Sequence, residues 1–192
     1  ITGVAAGTLR VTLATDTPLE NQLVAGSTNN EVLKIKLEAN QAEDLYVKEF
    51  TVRVDADADD AAIASLSLYN STTSPEVALG TLSWQGDTTN PGFVTWTFTG
   101  LSRPKVASSA ALYLTVKMNV VSSSATNSVS NLSPVLSLVA VRAEGIAQVK
   151  PLFASSGADG ADSAVDTASS NGTTTTDSLC NITANEIAGV AG

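Results

Sequence analysis

The sequence predicts an all-β protein, an antiparallel sandwich of about seven strands with extended segments at both ends. Three observations carry this. Between about residues 8 and 150 apolar side chains recur at every second position, the breaks between runs hold Gly, Asn, Asp, Ser and Pro, and helical periodicity is nearly absent. Successive strand side chains point to opposite faces, so each run buries one side and wets the other.

The runs follow one another along the chain. Leu9, Val11 and Leu13 alternate with Thr8, Arg10 and Thr12, and Leu33, Ile35, Leu37 and Ala39 alternate with Lys34, Lys36 and Glu38. Phe50, Val52 and Val54 repeat the pattern, then Leu66 and Leu68, then Val94, Trp96 and Phe98. In the longest run Leu112, Leu114, Val116, Met118 and Val120 face inward, with Tyr113, Thr115, Lys117 and Asn119 outside. A last run from Val135 to Val141 is apolar on both faces except at Ser137. The breaks include 26–30, 55–60, 70–75, 86–92 and 102–104, where Gly and Asn supply positive φ, Pro fixes φ, and Asp and Ser bond their own backbone. Only 59–65 suggests a short helical turn, capped by Asp59 or Asp60. In/out alternation marks antiparallel sheets with one solvated face, and two such sheets close over a shared core. An immunoglobulin-like sandwich is the most economical arrangement of seven such strands, with Trp96 and Phe98 central to its packing.

The organisation expected is an N-terminal extension over 1–15, serving as first or donated strand, a sandwich domain over 16–153 and a Ser/Thr/Gly/Asp-rich arm over 154–192. Between 154 and 180 the only larger aliphatics are Val165 and Leu179, and no basic residue follows Lys150. A composition that buries so little apolar surface orders itself only against a neighbour, either its own domain or another subunit, with the subunit favoured. The ends share a pattern, I-x-G-V-A at 1–5 and again at 187–191, consistent with chance or with similar slots filled in an assembly. A start at Ile1 without a charged and apolar leader is expected of a processed chain or of a piece cut from a longer one.

Composition excludes several chemistries. A net charge of −9 opposes nucleic-acid binding, which needs concentrated Lys and Arg. With no His and one Cys there is no Ser-His-Asp triad and no His- or Cys-built metal site. No run of about 18 apolar residues occurs, so no membrane span is expected. Cys180 stays free or pairs between chains. The spacing Asp55, Asp57, Asp59 is a weak calcium candidate, because the sixth position is Asp60 rather than Gly and the twelfth is Leu66 rather than Glu. Glu49 and Glu144 read as outward strand or turn residues rather than a hydrolytic pair. Lys34, Lys36 and Lys117 alternate with core residues and so point to water. Tyr46, Tyr69, Tyr113 and Trp84 could stack sugars, yet packing is the favoured role for the aromatics. Asn70, Asn131, Asn171 and Asn181 open N-x-S/T sequons, so a glycan is an option. No cofactor and no enzymatic activity are expected.

The stretches TLRVTLATDTP, LVAGSTNNEVLKIKLEAN, VKEFTVRV, SLSLYN and LYLTVKMNV together resemble the β-sandwich domains of secreted prokaryotic surface proteins, found in cell-wall, S-layer-like and pilus-like chains. The likeness covers about residues 8–150. It implies a structural module without catalytic residues, used in tandem or polymerised at the cell surface. The function then expected is a subunit of an extracellular filament or surface layer, with other copies of the chain as partners. Exchange of terminal strands would join them, through Leu9, Val11 and Leu13 at one end or Ile187 and Val190 at the other. The alternative is a carbohydrate-binding or adhesive module of a larger surface protein.

Overall fold

The computed structural model describes residues 9–18, 23–55, 63–83, 93–122, 135–145, 151–153, 155–156, 182–183 and 189–190. Among them there are strands and turns and no helix. In chain order the strands are β1 (Leu9–Leu13), β2 (Leu23–Val24), β3 (Asn30–Ala39), β4 (Leu45–Asp55), β5 (Ile63–Asn70), β6 (Val77–Ser83) and β7 (Phe93–Phe98). Then come β8 (Lys105–Val106), β9 (Leu112–Val120), β10 (Val135–Gly145), β11 (Pro151–Phe153), β12 (Ser155–Ser156), β13 (Ile182–Thr183) and β14 (Gly189–Val190).

One sheet runs β12-β1-β3-β9-β5-β6. The other runs β11-β10-β4-β7, with β8 added to β4 and β13 to β10. Within these, β1-β3-β9-β5 opposite β4-β10-β11 is the immunoglobulin connectivity, in which strands one, two, five and four form one sheet and three, six and seven the other. The strands β6 and β7 extend the two sheets on one side. On the other side the chain leaves the edge of one sheet as β11 and, one residue later, joins the edge of the second as β12, parallel to β1.

A single core joins the sheets: Ile35, Leu37, Leu68 and Leu114 from one, Phe50, Val52, Leu136 and Val141 from the other. The rings of Phe50 and Phe98 lie 6.4 Å apart at 58°, the tilted arrangement aromatic pairs favour. Trp96 is 3% exposed, as its phase requires.

All seven expected strands are present, several with longer bounds. The strand β6 was not expected. A bulge at Leu79, between the Leu68–Gly80 and Tyr69–Ala78 pairs, interrupts its period, and edge position leaves it half wet. Residues 63–65, expected within a helical turn, instead open β5, because Ile63 is buried and pairs with Val120. The run from Val135 looks apolar on both faces for a reason visible only in the register. Leu136 and Leu138 are buried, then the ladder shifts between Leu138 and Ala140, and Val141 and Ala143 take the inner face. One irregularity reverses parity within one strand. Positive φ falls at Gly26 (78°) and Asn29 (56°), as turn chemistry predicts, and also at Gly100 and Arg103.

Candidate assembly surface

Every strand needs a partner along both sides, and the molecule meets this need unequally. The strand β9 is flanked by β3 and β5 along most of its length. The strand β10 has β4 along one side, from Val135 to Gly145. Among the described residues its other side is met only by β11 at Arg142–Glu144 and by β13 at Ser137–Leu138. The last of these comes from the arm: Thr183 lies opposite Ser137 and Ile182 opposite Leu138. A similar short addition meets β2, whose strand partner among the described residues is the parallel β14, Gly189 opposite Leu23 and Val190 opposite Val24. Leu23 is buried while Val24 is 59% exposed. Gly189 and Val190 belong to the second copy of the I-x-G-V-A pattern; the first lies outside the described residues.

The N-terminal candidates behave differently. Leu9, Val11 and Leu13 lie in β1, paired over five positions with β3, from Leu9–Ala39 to Leu13–Ile35. Leu9 and Val11 are buried in the core and Leu13 is at the margin, 36% exposed. Between β3 and β12 this strand is an interior member of its own sheet.

The outer face of the β3-β9-β5 region is polar but not simply open to water. In register, Thr115 lies between Lys34 and Tyr69, and Lys117 between Glu31 and Ser67. The Thr115 side chain is fully buried although it points outward, and its hydroxyl donates to Ser71 Oγ at 2.8 Å. The side chain of Lys117 is 16% exposed, with Nζ donating to Glu76 Oε2 at 2.5 Å, 3.6 Å from Glu31 Oε1 and 4.9 Å above the Tyr69 ring. The hydrogen bond that Lys117 donates to Glu76 raises the Lys117 pKa. Lys34 pairs with Asp16 and sits 5.8 Å from the centre of Tyr113, holding the Asp16 carboxyl below its usual range, and Lys36 pairs with Glu38. The expectation that these lysines point to water is refined: alternation places them outside, where each pairs with a carboxylate and where Lys34 and Lys117 also lie over tyrosine rings. Tyr46 completes the pattern, with the Arg103 guanidinium 4.9 Å above its ring, so all three tyrosines carry a cation on a face.

Other candidates disperse. Glu49 pairs with Arg142 and Glu144 with Lys48, so neither is a free acid. Asp55 ends β4, and Asp57 and Asp59 lie outside the described residues. Among the described residues no three Asp, Glu, Cys or His side chains converge on a metal position. Asn70 ends β5, its Oδ1 accepting the Thr72 N–H at 3.0 Å, while Thr72 Oγ1 accepts the Tyr113 N–H. This sequon thus sits in an Asx turn beside the exposed Thr72 and Thr73. Asn131, Asn171, Asn181, Cys180, Ile187 and Trp84 lie outside the described residues. Among the described residues no helix is long and apolar enough to cross a membrane.

The charges divide sharply. The described residues hold nine basic and nine acidic side chains, so the whole net charge of −9 arises outside them. Alternation alone could not find the edge of β10 or the Lys117 cluster. Both depend on which strands become neighbours. No protein-family model matches the chain, and no curated protein matches it in sequence.

Proposed function

We propose that this chain is a non-enzymatic structural subunit of an extracellular, pilus-like filament or surface layer, its copies joined by strands exchanged between terminal arms. The observation that carries the reading is the pairing of β13 with β10 and of β14 with β2. A segment of low apolar content is engaged in completing strand edges. Unpaired N–H and C=O groups on an edge are templates for any extended chain, and an arm from another copy offers the same hydrogen bonds as the chain's own. A head-to-tail contact of this kind that does not close on itself propagates as a fibre. The resemblance to secreted surface-protein sandwiches points the same way. Because β1 pairs with β3 along all five of its residues and buries Leu9 and Val11 in the core, the exchange is assigned to the C-terminal arm. The rival sugar-binding reading would need free aromatic faces, and the three tyrosines each have one covered by a cation.

Electron microscopy with light-scattering size analysis of the purified chain tests the proposal. Regular fibres or sheets are expected above a critical concentration. A monomer that stays dispersed at high concentration and binds a panel of glycans would replace this reading with the rival one.

A further inference from the structure

We propose that the C-terminal arm is a self-cap, with β13 and β14 occupying the β10 and β2 edges of their own subunit when the chain is dilute and the same edges of a second copy when it assembles. This rests on the assembly reading above and adds to it the acceptor edges, their register and a control by concentration. The geometry supplies three reasons.

First, the acceptor edges are defined. Among the described residues, the outer side of β10 is met by β11 at Arg142–Glu144 and by β13 at Ser137–Leu138, and β2 is met by β14. Second, two-residue strands bring few hydrogen bonds, so their hold depends on how concentrated the arm is near the edge. Twenty-five residues separate Ser156 from Ile182. A chain of that length spans at most about 85 Å, and a linker of such reach presents its end at roughly millimolar effective concentration. Neighbouring copies packed in a fibre or layer reach comparable local concentrations, so another subunit's arm competes on equal terms. Third, electrostatics permit the transfer. The described residues of the sandwich are charge-balanced, whereas Asp159, Asp162, Asp166, Asp177 and Glu186 make the arm purely acidic. Arms repel one another yet meet no net repulsion from the described body of a neighbouring subunit.

The full-length chain carrying Ser137→Cys, Thr183→Cys and Cys180→Ser tests this. Its only two thiols then sit on residues paired in register, and strand neighbours lie within disulfide-forming range. Oxidation of a dilute sample should give an internally linked monomer on a denaturing, non-reducing gel. Oxidation of concentrated or assembled material should give a ladder of linked multimers, their share rising at least tenfold. Linked monomer alone at every concentration would overturn the exchange, and absence of any link would overturn the placement of β13. A second variant, Val24→Cys, Val190→Cys and Cys180→Ser, reads the β2 contact through the exposed Val24 and keeps the test decisive if the first folds poorly. Microscopy of the unmodified chain separates the two levels. Fibres with only monomeric links leave a filament joined by other contacts and remove the exchange of arms between copies, while neither fibres nor ladder removes both.

Discussion

The strands β9 and β10 are long members of their sheets, nine and eleven residues, and both bury inner side chains in the core. They differ in what lies beside them. The neighbours of β9 are β3 and β5, long strands locked by the same core. On one side β10 relies on three residues of β11 and two of the arm. An interior strand with two long neighbours cannot lose either without unfolding the sheet, whereas an edge met by short pieces can exchange them while the body stays folded. Under the proposed function, stability and assembly fall to different parts of one sandwich.

This contrast can be broken at several points. The largest effect belongs to the β9 core. Leu114→Ala, at a fully buried position, should lower the unfolding free energy by about 2–5 kcal/mol, measured by chemical denaturation. A loss much below that range would mean β9 is less central than its neighbours suggest. Next comes the outer face of the same strand. Lys117→Met removes the cation bonded to Glu76 and stacked on Tyr69 and should cost about 1–2 kcal/mol. Its pH dependence has a defined sign. The folded pKa of Lys117 is raised above its ordinary 10.5, so its contribution is complete below that value and disappears as pH climbs past the folded value. The stability gap between the native chain and Lys117→Met should therefore narrow as pH rises beyond the ordinary lysine value of 10.5. A constant gap would mean that packing of the lysine stem, not its charge, accounts for the loss.

A comparable effect is expected at the turn leading into β3. Gly26 has φ of 78°, and an added Cβ would come within 3.1 Å of Ser122 Oγ. Gly26→Ala should cost about 1–2 kcal/mol, read from the shift in the denaturation midpoint. The smallest effect on stability lies in the arm and sharpens the comparison most. Ile182→Pro should leave the unfolding free energy of the monomer within about 0.5 kcal/mol of the native chain while reducing assembly in light scattering, since proline removes a donor that strand pairing uses. A large loss of monomer stability would instead make β13 a structural member of the body.

Much of the fold is legible in residue order because local alternation and turn chemistry agree with the final packing. Leu112 to Val120 alternates without interruption, and β9 has those very bounds. Legibility fails where register intervenes. Neither the bulge in β6 nor the parity change between Leu138 and Ala140 leaves a local mark, since each arises from how one strand meets another. The candidate site was less legible still. Val190 stands out through a repeated pattern, but its partner Val24 lies far away in sequence, in a segment that alternation assigns to no strand.

The amino-acid order by itself determined the all-β class, the position of nearly every long strand, the balance of polar outer and apolar inner faces, and the concentration of negative charge outside the strands. These follow from two-residue periodicity and composition, which act over a few residues. Only the tertiary structure decided which strands lie at edges, that Lys117 and Thr115 are covered although they point outward, and that the arm meets β10 and β2. Those outcomes depend on pairings between segments distant in sequence, where hydrogen-bond satisfaction and shared burial, rather than local preference, choose the neighbour.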